Sequence, residues 1–148
     1  MLSHDFFTQQ IVIWTKRFFN QPGIDIADDT QDTVSGCRPN QVNAIVDGDI
    51  RSCLPDFSAR NIICEPNLYI LGEAKTADDF ISRHEDADNQ MNVMINFLKK
   101  HPKPILVYSI PNEFIWRVQN ELQSKLNLYN ATNVQIEIYF EARFALAI

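Results

Sequence analysis

The chemistry in this chain is concentrated in Leu54-Pro55-Asp56 and in Glu73-Ala74-Lys75, whose glutamate follows Asp56 by seventeen residues. Two carboxylates can share a divalent cation, and a nearby ammonium can orient or activate an attacking water. That is the equipment of a metal-dependent phosphodiesterase. The same residues would also make an ordinary cross-strand ion pair, which adds little stability when exposed. With nineteen acids and six lysines, roughly one acid-x-Lys triplet is expected by composition alone. The one present closes an apolar run, Leu68-Tyr69-Ile70-Leu71, where charges are costly unless paired.

The elements that must position these groups follow from the pattern of apolar residues. Residues 3–19 read as an amphipathic helix with Ser3 as cap, Trp14 on its core face and Pro22-Gly23 as its stop. Residues 24–40 are rich in Asp and Thr and read as irregular. Residues 41–46 form a strand, Asp47-Gly48 a tight turn, and 50–64 a second extended region. Glu65-Pro66-Asn67 turns the chain into the strand that carries Glu73. A helix over 86–100, a buried strand over 105–110 and a helix over 113–126 capped by Asn112 come next. In that last helix Phe114, Trp116, Val118, Leu122 and Leu126 are the expected core positions. Residues 134–140 alternate and read as a half-exposed edge strand. This order predicts an α/β fold, a central mixed β-sheet flanked by helices.

A turn near residue 66 puts position i opposite about 132 − i, so Asp56 is expected across from residues 75–77. Glu73 and Lys75 share a strand face because side chains alternate. The face of Asp56 depends on the register.

Composition sets the outer limits. A chain of 148 residues, 45% hydrophobic and 22% charged, is a single globular domain. No apolar run is long enough for a membrane span, and Met-Leu-Ser-His-Asp lacks the form of a secretory signal, so the expectation is a cytoplasmic protein with no membrane partner. Cys37, Cys53 and Cys64 make no CxxC pair and read as reduced thiols. A net charge of −6 argues against coating nucleic acid by bulk electrostatics.

Pro55-Asp56 and Glu73-Ala74-Lys75 resemble the active-site signature of the PD-(D/E)xK phosphodiesterase superfamily, the restriction-endonuclease-like nucleases. The element order resembles that family's αβββαβ core, here with an added C-terminal helix and strand. The resemblance covers about residues 41–110. It implies that Asp56 and Glu73, with the Ala74 carbonyl, bind Mg²⁺, for which Mn²⁺ can substitute. It implies that Lys75 positions or helps deprotonate the attacking water. Gln90 matches a glutamine that some branches carry on the next helix, where it would contact a phosphate or a metal water. The tyrosine that follows it in those branches is Met94 here. Many relatives add a glutamate from the first helix, and this chain has none before Glu65; Asp5, Asp25, Asp28 and Asp29 are the acids available. The implied activity is a Mg-dependent DNA endonuclease, acting as a homodimer or with a partner subunit. The alternative is a non-catalytic binding or assembly module on the same fold. The acids at 78, 79, 85, 86 and 88 are expected to point away from DNA, Arg83-His84 to lie in a solvated loop, and Lys99, Lys100, His101 and Lys103 to serve a helix end.

Overall fold

The computed structural model describes residues 2–19, 23–31, 33, 35–61, 67–140 and 143–147, with no side-chain description beyond 140. Helix α1 (His4–Phe18) begins where Ser3 Oγ accepts the Phe6 N–H at 3.1 Å. Phe7, Ile11, Val12 and Trp14 form its buried stripe. Strands β1 (Ile24–Asp28), β2 (Val42–Val46), β3 (Asp49–Cys53), β4 (Phe57–Asn61) and β5 (Leu68–Ala74) follow. Then come α2 (Ala77–Ser82), α3 (His84–Leu98), β6 (Lys103–Ile110), α4 (Ile115–Leu128), β7 (Gln135–Phe140) and β8 (Arg143–Ala147).

Six strands among the described residues form one mixed sheet in the order β1-β4-β5-β6-β7-β8, with β5-β6 and β6-β7 parallel and the other neighbours antiparallel. The coarse α/β expectation therefore holds. Helix α1 packs Ile11, Val12 and Trp14 on one face, against Phe57, Ile70 and Val107. Helices α3 and α4 cover the other face through Met94, Leu98, Val118 and Leu122, against Leu71, Leu106, Ile136 and Ile138. The β2–β3 hairpin forms its own two-stranded sheet and buries Val42 and Val46 in the α3 side of the core. Its turn has Asp47 at φ 51° and Gly48 at φ 87°, the left-handed pair that this dipeptide predicts.

Several expectations are corrected. The span read as irregular opens with strand β1, because Ile24-Asp25-Ile26-Ala27-Asp28 has a period of two under its acidic composition. The long extended region splits into β3 and β4 in different sheets. Strand β7 is not an edge: β8 pairs outside it, and its residues 136–139 are buried. Trp116 is 72% exposed, whereas Trp14 is 4% exposed as expected. Positions 116 and 118 are about 200° apart on a helix, so the helix that buries Val118 must expose Trp116. Arg83-His84 is not a solvated loop but the junction of two helices: Arg83 ends α2, whose N-terminus carries a capping box between Thr76 and Asp79, and His84 opens α3. Pro22, Cys64 and the turn residues Glu65 and Pro66 lie outside the described residues. Cys37 and Cys53 are free thiols, and no described helix is long and apolar enough to cross a membrane.

Candidate functional site

The β4–β5 ladder pairs Phe57 with Gly72 and Asn61 with Leu68. Asp56, one residue before Phe57, therefore comes opposite Glu73 rather than residues 75–77. The Asp56 N–H donates to Glu73 Oε1 at 3.2 Å, and the Ala74 N–H donates to Asp56 Oδ2 at 2.9 Å. Lys75 Nζ lies 2.9 Å from Glu73 Oε2 and donates to Gln90 Oε1 on α3. The Lys75 backbone N–H is tied to Ser109 O at 3.0 Å, at the matching end of β6. All five residues singled out from the sequence, Asp56, Glu73, Ala74, Lys75 and Gln90, meet at this end of the sheet. They are deeply placed: Glu73 is 0% exposed, Lys75 7% and Asp56 9%.

Two residues not selected from the sequence join them. His4 Nε2, in the first turn of α1, stands 3.2 Å from Asp56 Oδ2. Asp29, just past β1, donates its N–H to Asp56 O at 3.0 Å. One donor atom from each of His4, Asp29 and Asp56 lies within 4.8 Å of those of the other two. Of the four early acids, Asp29 is the one in this cluster. Asp5 accepts the Gln31 N–H at 2.9 Å, Asp28 accepts from Thr30 and Ser35, and Asp25 is on the exposed part of β1. The aspartate pair 28–29 after a period-two run was the signal for the end of a strand. Nothing local distinguished His4.

The carboxylates crowd one another, and their proton affinities diverge. Burial, then Asp56, raises the Asp29 carboxyl to about 8. Burial, then Asp56, raises Glu73 to about 8 against the pull of Lys75. Burial would raise Asp56 as well, but hydrogen bonding to His4 and Asp29 and the Ala74 N–H outweigh it and hold it below its ordinary value. The bond to Asp56 lifts His4 to about 9 in spite of burial. Burial works to discharge Lys75, yet Glu73 overrides it and the ammonium is held charged. Burial and Glu73 push the Cys53 thiol up to about 12, so it is no nucleophile.

Among the described residues, His4, Asp29 and Asp56 bring donor atoms close enough together to hold a cation, and Glu73 is not part of that group. Asp29 Oδ1 is buried without a hydrogen-bond partner, whereas both Glu73 oxygens are occupied, Oε1 by the Asp56 N–H and Oε2 by the Lys75 ammonium. Excess negative charge is balanced by protons and His4, and a cation would replace them. Metal–oxygen bonds of about 2.0–2.6 Å ask the His4–Asp29–Asp56 donors to close slightly from their present spread.

A cleft of about 270 Å³ opens beside Lys75 and Gln90, walled by Cys53 and Leu54 from the hairpin side and by Arg83 from the α2–α3 junction. Asp79 and Asp86 also line it, so the acidic stretch does not point wholly away from the site. Asp88 does, in an ion pair with Lys125 at 2.6 Å. Lys99, at the end of α3, donates through its side chain to Tyr129 O at the end of α4.

No protein-family model, curated protein or solved structure matches this chain.

Proposed function

We propose that this protein is a divalent-metal-dependent DNA endonuclease with the restriction-endonuclease-like arrangement. The observation that carries the reading is the direct meeting of Asp56 with Glu73-Ala74-Lys75 through two hydrogen bonds across a strand end. A structural ion pair alone has no use for the additional His4 and Asp29 donors.

Asp56, Glu73 and the Ala74 carbonyl would hold Mg²⁺ or Mn²⁺, with Asp29 and His4 within reach. The cation would act as a Lewis acid on the phosphoryl oxygens and lower the pKa of a bound water. Lys75 is held charged by Glu73, so it orients the attacking water and faces the negative charge that builds on phosphorus, and does not act as the base. Gln90 fixes the Lys75 ammonium from the opposite side. A new bond joins the water oxygen to phosphorus, a carboxylate of the cluster takes the water's proton, and the sugar oxygen leaves with the electron pair of the broken bond and takes a proton from solvent water. Cutting both strands of a duplex would take two such sites, which a symmetric homodimer supplies.

The test is cleavage of single-stranded, duplex and branched DNA by purified protein with Mg²⁺ or Mn²⁺, alongside Glu73→Gln. Metal-dependent cleavage lost in the variant supports the proposal. Inactivity on every substrate, with no metal binding, overturns it. The acids Asp79 and Asp86 beside Lys75, in a chain of net charge −6, favour a second reading: a non-catalytic binding or assembly module that keeps the charges as a structural network. Equal stabilisation of wild type and Glu73→Ala by Mg²⁺ would select it.

A further inference from the structure

A second groove, of about 450 Å³, lies along β1 and β4 and is walled by the segment that carries Cys37, Arg38 and Asn40. Ser58 and Arg60 alternate with Phe57 and Ala59, which α1 buries, so they project from the opposite face of the sheet. Arg60 is paired with Asp25 on one side and Tyr69 on the other. All three line the groove with Ser58. Among the described residues no carboxylate forms an ion pair with the Arg60 guanidinium. The Tyr69 ring is half-buried, braced by Phe97 at 5.2 Å and His101 at 4.6 Å between centroids. One wall of the groove is tied to the chain beside the candidate active site, although no site residue lines it: Arg38 Nη1 donates to Asp29 O at 3.1 Å, and Cys37 O accepts the Asp28 N–H at 2.9 Å.

We infer that this groove is the track for a single strand of nucleic acid leading to or from the scissile phosphate, with Arg38 and Arg60 on successive phosphates and Tyr69 under a base. The substrate class rests on the nuclease reading above; the strand-binding claim does not need catalysis. Charge complementarity supplies the first argument, because the groove sets two arginines against Asp25 alone in a chain of net charge −6. Such a chain cannot hold a duplex by bulk electrostatics. Stacking on an aromatic ring needs an unpaired base and works whatever the surrounding charge. A braced tyrosine beside a guanidinium that no described carboxylate pairs with suits a single strand.

The experiment is fluorescence anisotropy in EDTA, with a single-stranded DNA oligonucleotide, the same sequence as RNA, and the DNA duplex, each across a range of salt. Two phosphate contacts on a single strand give a slope of log K against log salt of about −1.4, and Arg38→Ala or Arg60→Ala each bring it to about −0.7. Both side chains are exposed, so these variants fold. Arg60→Lys keeps the slope. Tyr69→Leu weakens binding about tenfold with the slope unchanged. The DNA and RNA arms identify the sugar. Duplex binding as tight as the single strand, or single-strand binding indifferent to both arginines, overturns the inference. Strand binding without metal-dependent cleavage would leave the groove standing and remove the nuclease. Cleavage with an unchanged KM in both arginine variants would do the reverse.

Discussion

Lys75 and Glu73 form an ion pair inside the protein, Nζ to Oε2 at 2.9 Å, with the glutamate fully buried. A buried pair of this kind gives little net stability, but removing one partner strands the other. Lys75→Met therefore leaves Glu73 with no cation at Oε2. Lys75 holds the Glu73 value down, so its removal raises that value further above about 8, and at pH 9 the loss is expected to approach the roughly 3–5 kcal/mol of a stranded buried charge. At pH 6 it is smaller, because Glu73 takes up a proton. Urea unfolding at the two pH values measures the difference, and an equal loss at both would contradict it.

Three groups of the site bind protons more tightly in the folded chain. Glu73 rises from 4.5 to about 8, Asp29 from 3.8 to about 8, and His4 from 6.5 to about 9. Each contributes stability that is full below its unfolded value and is lost as pH climbs through its folded value. Asp56, held low, contributes in the other sense and loses its share only on acidification below 3.8. Without metal the melting temperature should therefore fall steadily between about pH 5 and pH 9. Mg²⁺ competes with these protons, so the stabilisation it gives should grow over the same range. Thermal melts with and without Mg²⁺ test both halves, and a metal effect that shrinks as pH rises would count against cation binding at these carboxylates.

Much of this site was legible because strands have simple geometry. The apolar run before Glu73, the Asp47-Gly48 turn and the helix through Met94 each carried their own signal, and a turn near residue 66 brings Asp56 close to Glu73; the contact of Gln90 with Lys75 was not read from the residues. The register was misjudged by counting from residue 66, and the ladder puts Asp56 opposite Glu73 itself. His4 was invisible because its role depends on where α1 lands across the sheet, which no local period encodes. Asp29 was one of four equivalent acids until β1 formed at the sheet's edge. Trp116 was a plain error of period, since a helix cannot bury both 116 and 118.

The two tryptophans convert that error into a measurement. Trp14 is 4% exposed and packs edge-on to Phe19 at 5.2 Å and to Tyr139 at 5.9 Å. Trp14→Ala should cost about 3–5 kcal/mol. Trp116→Ala, at a position 72% exposed, should stay within about 0.5 kcal/mol. Chemical unfolding of the two variants decides it, and a large loss at Trp116 would mean that this side chain is covered in solution.

Gly72 couples the core to the site. It sits on β5 one residue before Glu73 and directly beneath α1, where an added Cβ would come within 3.1 Å of both Ile11 Cδ1 and Phe57 Cβ. Phe57 Cβ is fixed to the β4 backbone opposite, so it cannot swing aside, and the strain must move α1 instead. Gly72→Ala is therefore expected to destabilise by about 1–3 kcal/mol through overpacking. It should also shift the helix that holds His4 at 3.2 Å from Asp56. The expected signature is a double one: a lower unfolding midpoint, and a weaker Mn²⁺ affinity in the protein that remains folded. Ile11→Val in the same chain removes a methyl at the point of contact and should recover part of both. Recovery of stability without recovery of metal affinity would show that the helix position and the cation site are not linked through Gly72.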